Sequence, residues 1–181
     1  MATGAELLAA DMLALALEKE ALLLGNRLMR SFGKLEPEAY TQRILEGKLK
    51  GEIQASVGKL WIPQIRFLKI STGATEEDPL KLSPVRWAEV HDRNRVMVEK
   101  MLKVKNLQPL ADAGSVLNDV ITRQVDETQQ YEGARKGIQW VRHTDAGACS
   151  WCRDQVAAYA STRSWFRHAN CKCFKVRGEG N

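Results

Sequence analysis

Cysteine is missing from most of this chain of 181 residues, and the four present stand at 149, 152, 171 and 173. That placement excludes a disulfide framework spread along the chain. In a chain read as intracellular, clustered cysteines more often bind metal. Long uncharged apolar runs are lacking too, because Glu6, Asp11, Glu18 and Glu20 interrupt the N-terminal leucines. The expectation is a protein that is neither secreted nor membrane-spanning. Repeats and low-complexity tracts are absent, and 44% hydrophobic with 27% charged residues excludes collagen-like, mucin-like and wholly disordered classes.

Catalytic motifs are equally scarce. The three histidines, His91, His143 and His168, are followed at the second position by Arg93, Asp145 and Asn170, so the H-x-E signature of nucleobase deaminases is missing. No G-x-S-x-G motif occurs. No βαβ pattern surrounds Cys149-Ser-Trp-Cys152, which disfavours thioredoxin-type redox chemistry. His143 and Asp145 lie near Cys149, but a thiolate engaged by metal is not a nucleophile. The reading is a protein that is not an enzyme, with no small-molecule substrate.

Excess charge is missing from the first 139 residues, where 20 basic side chains meet 19 acidic ones. Residues 140–181 carry seven basic against three acidic, most of the net +5. Arg163, Arg167, Lys172, Lys175 and Arg177 are therefore candidate non-specific DNA contacts; a solvated face is the plainer alternative.

What the chain does have is helical periodicity. Ala10, Leu13, Leu17, Ala21, Leu24, Leu28 and Phe32 recur at spacings of three and four and predict a helix over 5–32, stopped by Gly33. Glu36-Pro37-Glu38 reopens a helix, and Ile44, Leu49, Ile53, Val57 and Leu60 carry it to a break at Pro63. Ile65 to Ile70 is too short to assign. Residues 71–83 read as a loop or linker, with Ser83-Pro84 as the cap and first turn of the next helix. Trp87, Val90, Asn94, Met97, Met101 and Val104 mark that helix, whose stripe is either a core face or a seam for a partner helix. A docking role in a larger assembly is expected for it and for the N-terminal helix, through Met97 and Met101. Pro109 opens a further helix ending near Gly133 to Gly137, and Ile138 to Arg142 alternates as a strand. The fold class is mainly α: an N-terminal helical region 1–70, a linker 71–83, central helices 84–136 and a small α+β zinc-knuckle subdomain 137–181.

That last segment carries the chemistry. Cys149-Ser-Trp-Cys152 is followed after fifteen residues by His168-Ala-Asn-Cys171-Lys-Cys173. Zinc takes four thiolate or imidazole ligands in a tetrahedron, with sulfur at about 2.3 Å, and each pair with a two-residue spacer supplies two of them. Five candidates compete for four places; Cys149, Cys152, His168 and Cys171 are favoured, with Cys173 in reserve. Protein ligands in surplus imply a closed structural zinc site.

The run from Trp140 through His143, Asp145 and Cys149 to Cys152, followed by Trp165-Phe-Arg-His168-Ala-Asn-Cys171-Lys-Cys173, resembles the C-terminal signature of the Mu F-like minor head proteins of tailed phages. The likeness covers residues 113–176, including Arg123 and Glu127 on the preceding helix; the family's proline ahead of the histidine is replaced here by Phe166-Arg167. The resemblance implies a minor capsid protein needed for head morphogenesis, assembled in the host cytoplasm into the virion head. Its implied partners are the portal or the major capsid protein. Capsid maturation proteases with a similar tail, and zinc-ribbon nucleic-acid modules, are the alternative readings.

Overall fold

The computed structural model describes residues 2–33, 41–75, 77–144, 150, 158–159 and 173–178. Five helices and three short strands are present among them. Helix α1, Gly4–Phe32, starts where the Thr3 hydroxyl accepts the Glu6 backbone N–H at 3.2 Å, and it buries Ala10, Leu13, Leu17, Leu24, Leu28 and Phe32 as the periodicity predicts. Helix α2, Gln42–Lys59, follows; the expected restart at Glu36 to Glu38 lies outside the described residues.

Pro63 does not end the helical region. The chain turns at Leu60 and enters α3, Trp61–Thr72, with Pro63 in its first turn, where a backbone N–H has no helical acceptor and none is lost. Ile65 to Ile70 is therefore helical. Its period escapes an apolar pattern search because Gln64 and Ser71, both fully buried, hold core-facing positions beside Phe67 and Leu68. Gly73 closes α3 at φ 64°, a left-handed value that glycine adopts without strain.

Helix α4, Trp87–Val104, starts three residues after the expected Pro84, with Arg86 at its N-cap. A short 3-10 turn at Gln108–Asp112, opened by Pro109, leads into α5, Ala113–Lys136, which Gly137 ends at φ 66°. Strands β1 (Trp140–His143), β2 (Ala158–Tyr159) and β3 (Phe174–Arg177) form one antiparallel sheet in the order β2-β1-β3. Among the described residues no helix is long and apolar enough to cross a membrane.

One apolar cluster runs from Ala9 to Val176 and joins residues of α1 to α5 and β3. Residues 71–83 do not separate two bodies: Leu82 is buried, the Ser83 backbone N–H donates to Thr128 Oγ1 at 2.9 Å, and Gln124 Nε2 donates to the Ser83 carbonyl at 2.7 Å. Polar side chains of α5 thus take up backbone groups that no helix or strand satisfies. Met97 and Met101 are buried against this cluster, so the stripe on α4 is a core face and not the outward docking surface expected of it.

A second polar seam braces α1 on α2. Glu20 is buried, and its Oε1 accepts from Arg27 Nη2 at 2.8 Å and from Ser56 Oγ at 2.9 Å, with Lys59 Nζ at 3.4 Å. Burial pushes the Glu20 carboxyl up, but the hydrogen bonds from Arg27 and Ser56 and the charges of Arg27 and Lys59 outweigh it and hold it below its ordinary value of 4.5. A carboxylate so depressed stabilises the fold fully above its unfolded pKa, and the contribution disappears as pH falls through the folded value. Glu20→Gln is expected to cost about 2 kcal/mol at neutral pH. Urea unfolding from pH 7 downward should show the gap between the two proteins closing below 4.5; a gap independent of pH would disprove the role.

Candidate functional site

Strand β1 sits at the centre of the sheet. Its pairing with β3 sets Trp140 opposite Arg177, Val141 opposite Val176, Arg142 opposite Lys175 and His143 opposite Phe174. The chain therefore leaves β1 at His143 beside the place where it enters β3 at Phe174. Both ends of the interval that carries the cysteine–histidine motif are held at one end of the sheet. Cys173, adjoining β3, is buried at 3% exposure. Cys149, Cys152, His168 and Cys171 lie outside the described residues, and among the described ones no three His, Cys, Asp or Glu side chains converge on a metal position.

The anchors of the sheet are now visible. Phe174 packs on Phe67 of α3 with ring centroids 5.5 Å apart and planes tilted by 58°. Gln129 Nε2, from α5, donates to the Lys175 carbonyl at 2.8 Å and to Ser71 Oγ at 3.3 Å. Asp11 Oδ1 meets His143 Nε2 at 2.7 Å. Glu6, fully buried on α1, accepts the Arg177 backbone N–H at 2.7 Å through Oε1 and Arg177 Nε at 2.9 Å through Oε2. Hydrogen bonds from α1 and α5 and the ring contact from α3 thus fix the sheet to the helical body.

Two of the five basic residues assigned to DNA lie among the described residues. Lys175 is fully buried, with Nζ 3.7 Å from Asp126 Oδ1, whereas Arg177 donates through Nε to Glu6 and keeps one-third of its side chain exposed. A cation buried as Lys175 is, beside an internal carboxylate, is not available to a phosphate. Arg163, Arg167 and Lys172 lie outside the described residues. Arg123 and Glu127 do share one face of α5, where they pair with α4: Arg123 Nη1 donates to Glu89 and Arg86 Nη2 donates to Glu127 at 2.6 Å. The groove beside them is lined also by Arg93 and Asp119, which pair with each other at 2.6 Å.

Sequence reasoning missed Glu6, Asp11, Asp126 and Gln129 as positioning residues. Glu6 and Asp11 counted only as interruptions of an apolar run, and Gln129 lies four residues after Val125 on an otherwise apolar stripe. A polar residue kept at a core-facing register is the signal that would have found Glu6, Asp126 and Gln129; Asp11 is exposed and gives no such signal.

The donor set fits zinc. Thiolates and an imidazole are its preferred ligands. Cys149 follows His143 by six residues and Cys171 precedes Phe174 by three. Comparison of the chain with protein-family models, with curated proteins and with solved structures finds no match.

Proposed function

We propose that this chain is a structural minor component of a tailed-phage head, whose C-terminal segment is closed by a zinc ion held by four of Cys149, Cys152, His168, Cys171 and Cys173. The observation that supports the reading is the register of β1 on β3, which sets His143 beside Phe174, the two flanks of the interval that carries the ligand motif. Zinc would supply a crosslink there and no chemistry on a substrate. The anchored sheet makes that crosslink a continuation of the helical body. Partners of such a component are the portal or major capsid protein; contact with packaged DNA falls to Arg163, Arg167 and Lys172.

Elemental analysis of the purified chain is expected to find about one zinc equivalent, and Cys152→Ser is expected to lose it. Chelation should lower the melting temperature of the wild type and leave that of Cys152→Ser unchanged. A metal-free wild type of unaltered stability would overturn the zinc reading. Mass spectrometry of purified phage particles tests the head reading separately: the chain should be retained in the virion at low copy. Its loss after maturation would instead identify a protease.

A further inference from the structure

The outer face of α1 is apolar and has no partner within the described residues. Leu8, Leu15, Leu22 and Met29 follow one another at intervals of seven, and each is at least half exposed, with both Leu15 and Leu22 at 67%. Between them, at alternating steps of four and three, stand Met12, Lys19 and Asn26, all exposed. This is the 3.5-residue repeat of a coiled-coil seam, with the leucines at the d positions and Met12, Lys19 and Asn26 at the a positions. It lies opposite the buried face of Leu13, Leu17, Leu24 and Leu28, which holds α1 to its own fold. The helix has 29 residues and so runs about 43 Å, enough for three heptads on a straight edge.

We infer that a second copy of this chain covers the seam, pairing with it as a parallel two-stranded coiled coil. That arrangement is the one that sets the Asn26 amide against another amide. In every antiparallel register an a residue faces a d residue, so Lys19 and Asn26 would each be set against Leu or Met, a polar group buried on an apolar one. In the parallel, in-register pair Asn26 meets its own counterpart and the two amides hydrogen-bond, the device by which one polar a layer fixes register and a two-stranded state. Lys19 meets its own counterpart as well, and that like-charge layer is answered by Glu18 of the other copy at the flanking g position, an ion pair that the symmetry forms twice. A lipid surface fits less well: Asp11, Glu18 and Arg30 border the stripe with mixed sign, where an interfacial helix carries a basic face.

Sedimentation equilibrium of the full chain tests this. The wild type is expected to be a dimer, and Leu15→Glu/Leu22→Glu a monomer with unchanged helical circular dichroism, because both side chains already face solvent. Lys19→Glu should weaken the dimer roughly tenfold, and adding Glu18→Lys should restore it by exchanging the charges. Asn26→Leu should raise the assembly above two chains; a clean dimer there would overturn the Asn26 layer. A monomeric wild type would overturn the proposal, as would a dimer that survives Leu15→Glu/Leu22→Glu. Flotation of the wild type with anionic vesicles while it stays monomeric would overturn it in favour of a lipid surface.

Discussion

Met97→Glu is expected to unfold the protein, whereas Leu15→Glu should leave the fold of the monomer intact. Met97 is 3% exposed, one turn of α4 from Asn94, which is fully buried with no hydrogen-bond partner among the described residues. That face of α4 thus already holds one unsatisfied amide. A carboxylate placed there would be stripped of water, at a cost of about 3–5 kcal/mol, a large share of the whole stability of a small domain. Met97→Leu, nearly equal in volume, should cost less than about 1.5 kcal/mol. Thermal melts and soluble yield of Met97→Glu, Met97→Leu and Leu15→Glu give the comparison. If Met97→Glu stays folded and loses only an association, α4 faces outward and its buried stripe has been misplaced.

That contrast shows where helical periodicity informs and where it misleads. Apolar residues three and four apart located α1, α4 and α5, and for α1 the predicted inner face is the buried one. Period alone, though, does not say which of two stripes meets the protein's own core. On α4 a stripe that could have been a partner seam is core; on α1 a second stripe of leucines, masked by the richness of the first, remains outside. The deciding quantity is the packing of α1 against both α3 and α5, which no local window contains.

Polar residues account for most of the rest. Gln64 and Ser71 occupy core positions of α3 and hide its period. Thr128 and Gln124 hold the Ser83 backbone, so residues 71–83, composed like a linker, dock on α5. Here side-chain hydrogen bonds replace the apolar contacts that sequence patterns are tuned to detect. The cysteine and histidine spacing can be read at all because ligand chemistry is local to a few residues, though Cys149, Cys152, His168 and Cys171 lie outside the described residues. The charge of the basic tail cannot be read so, because the acid that answers Arg177 is 171 positions away in the chain. Summed charge over a segment says nothing about such pairing.

Arg177→Met is accordingly expected to be among the most damaging single changes at the surface of the sheet. Arg177 is itself one-third exposed, and a surface arginine ordinarily contributes little. Its partner is different: Glu6 is fully buried, and without the guanidinium its Oε2 loses its donor while Oε1 keeps only the Arg177 backbone N–H. What the variant leaves behind is a buried carboxylate with half its hydrogen bonds, and the cost is that of the orphaned charge, about 2–4 kcal/mol. Glu6→Gln should cost less, since a neutral amide tolerates the site and the exposed arginine can turn to water. Combining Glu6→Gln with Arg177→Met should recover part of the loss of Arg177→Met alone. A double-mutant cycle by urea unfolding measures this coupling. Additive costs would mean that Glu6 and Arg177 act independently and that the end of β3 is held to α1 by packing alone. A coupling above about 1 kcal/mol would establish the buried pair as the clasp that ties the segment after the cysteine–histidine motif to the first turns of the chain.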